Sequence, residues 1–415
     1  MSSENIKVAI SGAGLAGLCL AHRLVSLGMD VSVFEREPGP DHRKQGYRIT
    51  CDDNGLAALS VCLPPSLFAA VLATSSQPSS QDEFHIADRR LIPIVTLKFD
   101  HPADKLPRQV DRQILRHIML CGLGDRVHFG KEAVAVAQSG EGATVTFQDG
   151  MQANADLMVV ADGVSSKLKH AVVPNMTRDL GWTAIYGRSS LLGAGAPILD
   201  TPLDRSGLLA ISADQKAFFS TAMRFGEPPI QAMRRFGLPQ PPDNSGDYVM
   251  WALLFRATEA PERSATEAAL QQFLRLELAK FHPKLGRLVQ SAEPGSLVSV
   301  AMKAASRPLD WAASRVTAIG DAVHVMPPLG AHGGNTALRD AHTLGNELAE
   351  FVKGRQTMTQ AVGAYQQAVC GYGMDAVEDS VAMLDRTSPK NAVLRWLGFE
   401  AFPRAKSLFS RPLQT

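Results

Sequence analysis

At 415 residues, 45% hydrophobic and 20% charged, the chain is long enough to bury a large core and to divide into two joined domains. The 42 Lys and Arg stand against 41 Asp and Glu, a net charge of +1 that gives no field for gathering nucleic acid or an anionic membrane. No apolar run approaches the roughly 20 residues that span a bilayer, so an integral membrane protein is excluded and a soluble, cytoplasmic one expected.

The apolar run from Ile6 to Ile10 passes straight into a glycine-rich turn instead of forming a secretory core. Residues 6 to 35 read as one βαβ unit. Ile6, Val8 and Ile10 make a short buried strand, and Gly12-Ala13-Gly14-Leu15-Ala16-Gly17 follows. A helix then carries Leu20, Leu24 and Leu27 on one face and stops at Gly28. Val31, Val33 and Phe34 make a second strand ending in Glu35. Residues 38 to 110 read as mixed and loop-rich, with Pro64-Pro65 and the polar run Ser75 to Asp82 as breakers. A helix is expected over Arg112 to Leu120. Alternation in Ala143 to Phe147, closed by Asp149-Gly150, predicts a hairpin, and Leu157 to Ala161 a buried strand running into Asp162-Gly163.

From about 175 to 290 the character changes. Leu208 to Ser212, Lys216 to Phe225 and Tyr248 to Arg256 are strand-like, separated by turn residues and a Pro-rich loop over 227 to 246. They predict an antiparallel sheet inserted into a nucleotide-binding domain. Ser264-Ala265-Thr266-Glu267 has capping-box spacing ahead of an amphipathic helix bearing Leu270, Phe273, Leu274, Leu278 and Phe281. A third buried strand, Val316 to Ile319, ends at Gly320-Asp321. A loop over 322 to 334 then leads into a helix beginning near Asn335, with Leu338, Ala341, Leu344 and Leu348 inward. The apolar stretch Val393, Leu394, Trp396, Leu397, Phe399 and Phe402 reads as a cap on the core. The five cysteines (Cys19, Cys51, Cys62, Cys121, Cys370) are scattered, with no Cys-x-x-Cys pair, which fits reduced thiols and no metal site.

The expected fold class is α/β (mixed α+β): a Rossmann-like domain over 1–174 and 291–350, an inserted antiparallel-sheet domain over 175–290, and a helical segment over 351–415. Gly12, Gly14 and Gly17 would allow a tight turn, close approach to a pyrophosphate and close helix–strand packing, with Leu15 and Ala16 opening the helix whose amides hold the phosphates. Glu35, with Arg36 beside it, lies 21 residues after Gly14, where an acid bonds the adenosine ribose. That acid would repel a 2′-phosphate, leaving FAD or NAD as the nucleotide held here.

Two longer motifs carry a resemblance. Val159-Val160-Ala161-Asp162-Gly163-Val164-Ser165-Ser166 resembles the Asp-Gly motif of the aromatic hydroxylase flavoproteins, the p-hydroxybenzoate hydroxylase superfamily. The run from Ile319-Gly320-Asp321 through Pro327-Pro328-Leu329-Gly330-Ala331-His332-Gly333-Gly334-Asn335 resembles that family's second FAD motif over its whole length. The motifs fall in the family's order across residues 6 to 350. The resemblance implies FAD as cofactor, NAD(P)H as a transient co-substrate, and Asp162, Gly163 and Arg112 as cofactor contacts. On the physical reading beside it, Asp321 bonds a ribityl hydroxyl. Pro328, Gly330, Gly333 and Gly334 let backbone pass close to a flat ring, and the helix at Asn335 points its positive end at the flavin. Lys169 stands where the family has arginine, and Ala331-His332-Gly333 replaces a common Gly-Gln-Gly. His332 is therefore a candidate active-site donor, and Arg48 in Gly46-Tyr47-Arg48-Ile49 the candidate active-site charge. Tyr186, Arg224 and Trp251 are candidates for the substrate side, each able to face either way on its strand.

The expected function is an NAD(P)H-consuming monooxygenase. It inserts one atom of O2 into an aromatic or polycyclic small molecule through a flavin C4a-hydroperoxide, in secondary metabolism or aromatic catabolism. A FAD-dependent reductase or dehydrogenase on the same fold, and a non-catalytic FAD-binding protein, would keep the same motifs. The substrate and the oligomeric state are not legible.

Overall fold

A computed structural model describes residues 6–42, 47–139, 142–174, 177–191, 206–241, 246–262, 265–308 and 311–387. The chain opens with β1 (Lys7–Ser11), α1 (Leu15–Ser26) and β2 (Asp30–Glu35), the expected βαβ unit. β1 is buried after its first residue because parallel neighbours flank it on both sides.

Residues 38–110, expected to be loop-rich, are mostly regular. They form β3 (Arg48–Cys51), α2 (Asp53–Cys62), α3 (Pro65–Thr74), β4 (Gln81–Asp88), β5 (Pro93–Asp100) and β6 (Arg108–Asp111). The prolines read as breakers start a helix instead. Pro65 is the first residue of α3, where a missing N–H costs nothing. α4 (Arg112–Leu120) has the expected bounds, and Asp111 caps it by accepting from Gln113 N at 2.9 Å and Ile114 N at 2.8 Å.

Next come β7 (Val127–Phe129), β8 (Ala133–Ser139), β9 (Gly142–Phe147), β10 (Gln152–Ala155), β11 (Leu157–Val160) and α5 (Lys169–Val172). The hairpin forms between β9 and β10, with Gly150 at φ 84° in its turn. The middle of the chain gives β12 (Thr177–Ser190), β13 (Ser206–Ser212), β14 (Lys216–Met223), α6 (Pro229–Phe236), β15 (Tyr248–Arg256), α7 (Glu267–Leu278), α8 (Pro283–Gln290) and β16 (Val298–Ala305). α6 replaces part of the expected loop; it too starts on a proline, and it ends at Gly237 in the left-handed region. Thr266 caps α7, accepting from Ala269 N at 3.3 Å, while Glu267 accepts from Gly295 N instead of closing a capping box. Ser264 of that box, like the 393–402 stretch, lies outside the described residues.

The last elements are β17 (Val316–Ala318), α9 (Asp321–His324), α10 (His332–Val352) and α11 (Met358–Thr387). The expected 322–334 loop thus contains a short helix, and α10 begins at His332, almost a turn before Asn335.

Five strands pair in parallel in the order β17-β11-β1-β2-β7. A seven-stranded sheet runs β16-β12-β15-β14-β13-β4-β5, antiparallel except where β13 meets β4. It therefore draws β4, β5 and β16 from outside 175–290. Alternation gives this sheet two apolar faces. One, with Ile185, Leu208, Phe218, Trp251 and Phe255, is covered by Leu270 and Leu274 of α7 and Leu285 and Leu288 of α8. The other carries Trp182, Leu209, Ile211, Leu254 and Met302 and meets Leu329 and Leu384. Among the described residues no helix is long and apolar enough to cross a membrane.

Candidate functional site

The carboxyl ends of β1, β11 and β17 bring three motifs together at one edge of the parallel sheet, the edge where open α/β sheets bind ligands. Gly12 follows β1 at φ 111°, and a Cβ there would lie 2.4 Å from the Ala161 carbonyl oxygen. Gly17 sits where a Cβ would lie 2.1 Å from Gly12 O, so both glycines are required by packing. Gly14, at the amino end of α1, is different. A Cβ there meets nothing within 4 Å, and no side chain caps the helix. The start of α1, half-buried at Gly14, thus has open space beside helix amides that no side chain caps, with Leu15 and Ala16 buried behind it.

Glu35 is buried at the end of β2, and its carboxylate accepts from Ala13 N at 2.8 Å and Glu37 N at 3.1 Å. It braces the glycine turn from within. Arg36 beside it lies 3.8 Å from Glu37. Asp162 follows β11, and Gly163 takes φ 79°. Burial raises the Asp162 carboxyl above its ordinary range, against hydroxyl donation from Ser166 and Ser11, and its Oδ1 has no hydrogen-bond partner. An orphaned buried acceptor beside an open glycine turn is the fit expected of a site that takes hydroxyl or amide donors from a ligand.

The second motif crosses α1 closely. Gly320 adopts φ 67°, and a Cβ on it would lie 3.5 Å from Ala16 Cβ. Asp321 is exposed at the start of α9. Pro328 and Gly330 lie in the exposed loop before α10, with Gly330 at φ 70°. Gly333 and Gly334 are in the first turn of α10, whose amino end has no side-chain cap. The Asn335 side chain is buried and turned to the protein. It bonds Thr50 O at 2.8 Å, Ala331 O at 2.9 Å and Asp52 N at 3.2 Å, which leaves only its backbone for a ligand. His332 packs against Gly330 at the loop's end.

Arg48 opens β3, the strand whose Thr50 carbonyl accepts from Asn335 of the second motif, and its Nε is buried without a partner. Burial lowers its pKa to about 10, against the pull of Tyr248 and Asp82. Tyr47 beside it stacks on Tyr186 at 6.0 Å and donates to Ser296 O. Gly46 lies outside the described residues. Tyr186 is on the face of the seven-stranded sheet turned toward the motifs. Trp251 is on the opposite face, fully buried and bonded to Ser189 Oγ at 3.1 Å. Arg224 is exposed and pairs with Asp247 at 3.4 Å. Arg112 is the exposed first residue of α4. Lys169 is buried, its Nζ 3.0 Å from Thr177 Oγ1; burial and then Lys303 lower its pKa.

Three positions escaped the sequence reading. Arg116 binds Ala13 O at 2.8 Å and Pro40 O at 2.6 Å, tying α4 to the glycine turn one helical turn beyond Arg112. Tyr248 donates to Asp111 at 2.7 Å and so ties the sheet to the cap of α4. Asp340, an acid among the inward residues of α10, bonds Gly320 N at 2.7 Å. Only the last left a trace, as a charge beside an apolar helical stripe.

A glycine turn at a helix start, an acid closing the second strand, and a second glycine–aspartate turn at the same sheet edge define a dinucleotide-binding α/β protein. Open space at Gly14, the unpartnered Asp162 Oδ1 and the exposed Asp321 suit a long diphosphate ligand with hydroxyls along it. The FAD binding domain family matches residues 5–368, and the chain belongs to that family; FAD is its cofactor.

A dual O-methyltransferase/FAD-dependent monooxygenase of Phaeosphaeria nodorum is 29% identical over 399 residues, covering 86% of this chain and 42% of the relative. The chain spans less than half the length of the first curated relatives it matches. A FAD-dependent urate hydroxylase of Mycolicibacterium vanbaalenii is 24% identical, with 94% of this chain and 91% of the relative covered. Among solved structures, a putative FAD-containing monooxygenase from Photorhabdus luminescens superposes with a TM-score of 0.78 at 25% identity, covering 92% of this chain and 98% of the other. The FAD and uric acid complex of Klebsiella pneumoniae HpxO superposes at 0.74 and 20% identity, covering 97% and 94%, a likeness of fold.

Proposed function

We propose that the protein is a FAD-dependent monooxygenase that consumes NAD(P)H and O2 and inserts one oxygen atom into an aromatic or polycyclic small molecule. The observation that carries the reading is the sheet face turned toward the motifs. Trp182, Tyr186, Leu209, Phe219 and Leu254 make it apolar and aromatic, and Leu329 of the second-motif loop packs against it. A wall of that kind binds flat apolar ligands and excludes water from the reaction.

Bound FAD would accept a hydride from NAD(P)H and activate dioxygen; the chain's part is placement and electrostatics. Gly12, Gly14, Leu15, Ala16 and Gly17 would take the pyrophosphate at the start of α1, and Glu35 and Arg36 the adenosine end. Asp162, Gly163, Arg112, Gly320 and Asp321 would hold the middle of the cofactor. Pro328, Gly330, Gly333, Gly334 and the Asn335 backbone would line the ring. Arg48 would hold an anionic oxygen of the substrate, or the flavin itself, with His332 a donor at the ring's edge. On this reading 1–174 and 291–350 form the FAD-binding domain, 175–290 the main body of the substrate sheet and 351–415 a closing segment, in a cytoplasmic enzyme. The names of the relatives, monooxygenases and a urate hydroxylase, support the reaction class.

A screen of phenolic, indolic and quinoline compounds for stimulated NAD(P)H oxidation, repeated under labelled dioxygen, tests this. One labelled oxygen atom in the product is the expected result. Label found only in peroxide or water, across all accepted compounds, would assign a reductase. No stimulation by any compound would assign a non-catalytic FAD protein.

A further inference from the structure

The turn between β17 and α9 is held by the protein at nearly every polar group. Ala318 O accepts the Tyr365 hydroxyl of α11 at 2.8 Å, and Ile319 N donates to Val160 O at 2.9 Å. Gly320 O accepts from Val323 N at 2.8 Å and His324 N at 3.1 Å. Gly320 N donates to Asp340 Oδ2 at 2.7 Å. Asp321 is the exception: its side chain is exposed and makes no hydrogen bond or ion pair among the described residues.

Asp340 is the hub of this arrangement. The Oδ2 that accepts from Gly320 also accepts from His324 Nε2 at 2.7 Å, and Oδ1 accepts the Tyr372 hydroxyl at 2.7 Å. Side chains of His324 and Asp340 are both fully buried. Two of these partners are packed from the other side as well. Arg339 lies over the Tyr372 ring at 4.0 Å, and α11 passes the imidazole at Gly373, where a Cβ would come within 3.1 Å of His324 Cδ2. Three donors satisfy one buried carboxylate that joins α9, α10 and α11 at a backbone conformation only glycine adopts readily.

We propose that Asp340 is the positioning residue of the flavin-binding turn: one carboxylate fixes Gly320, His324 and Tyr372 together and thereby presents Asp321 to FAD. The inference rests on the assignment of Asp321 to the cofactor, not on the oxygenase reaction. Asp340 touches no ligand itself; it acts through the turn.

A double-mutant cycle tests it, with the FAD dissociation constant read from flavin fluorescence as holoprotein is diluted. Asp340→Asn should weaken FAD about tenfold or more in the natural chain, but less than about threefold when Asp321→Ala is already present. A purely structural role would lower the unfolding temperature in both backgrounds and cost FAD affinity by the same factor in each. That equal factor, or no loss at all, overturns the proposal. If Asp321→Ala by itself leaves FAD affinity unchanged, the assignment of Asp321 falls and the proposal with it. Should Asp340→Asn fail to fold, Tyr372→Phe removes one donor and keeps the carboxylate. The same dependence on Asp321, at smaller size, is then expected, and its absence counts against Asp340.

Discussion

Three glycines in one motif do different physical work, and substitution separates them. Gly17 leaves no room for a Cβ, so Gly17→Ala forces the helix off the strand and should cost about 1–3 kcal/mol of stability. Gly14 faces open space at φ −82°, a conformation any residue adopts. Gly14→Val should therefore unfold near the natural FAD-free temperature and yet bind no FAD, because its methyl groups take the place of the pyrophosphate. Thermal unfolding and FAD titration of both variants check the contrast; full FAD occupancy in Gly14→Val would move the phosphate elsewhere. His22 is a second residue-scale case. It is buried on α1 with Nε2 2.7 Å from Met119 O, and burial, opposed by that carbonyl, lowers its pKa. The unfolded chain then takes up a proton first as pH falls through about 6.5. Stability present above that value is lost below it, because the unfolded state binds more protons there. His22→Gln should flatten this acid limb in unfolding temperature against pH, and an unchanged slope would clear His22 of the effect.

At the scale of elements, β14 is tied to its covering helix by charge as well as by apolar packing. Lys216, buried at the first position of β14, lies 2.7 Å from Glu259, 2.8 Å from Glu277 on α7 and 3.6 Å from Asp214. Removing the cation leaves three carboxylates close together, though Glu259 is 39% exposed and Asp214 42%, and water screens part of the repulsion. Lys216→Met should cost about 1–3 kcal/mol in urea unfolding, and Glu277→Gln in the same chain should restore part of it. α11 plays a corresponding role between layers. Tyr365 grips the end of β17 and Leu384 reaches the apolar face of the seven-stranded sheet.

For the whole molecule, the seven-stranded sheet ends on β5, whose outer edge pairs with nothing among the described residues. Val95, Leu97 and Phe99 alternate along it at 41%, 41% and 46% exposure, with Lys98 the charge between them. A flat apolar edge strand is a template for pairing with another chain. Leu97→Lys with Phe99→Lys should lower self-association in concentration-dependent light scattering and leave FAD content unchanged. Scattering that does not change would show that the strip is inert.

The amino-acid sequence by itself determined β1, α1 and β2, the bounds of α4, the β9–β10 hairpin, β11, β15 and β17. Their apolar period and their glycine or acidic punctuation are complete within a dozen residues. It also named the glycines and acids that meet at the sheet edge, because backbone conformation and close approach leave few residue types to choose from. Only the tertiary structure decided that residues 38–110 are largely regular. β4 is half-exposed and mostly polar in pattern, and it becomes a strand by pairing with β13, more than 100 residues away, while the exposed β5 is held, among the described residues, only by pairing with β4. α3 and α6 start on prolines that read locally as stops. The turning of Asn335 into the protein, the hold of Arg116 on Ala13 and the joining of three elements by Asp340 are likewise long-range. A periodic pattern says which face of an element is buried; it does not say which distant group that face will meet, and that pairing is fixed only when the layers pack.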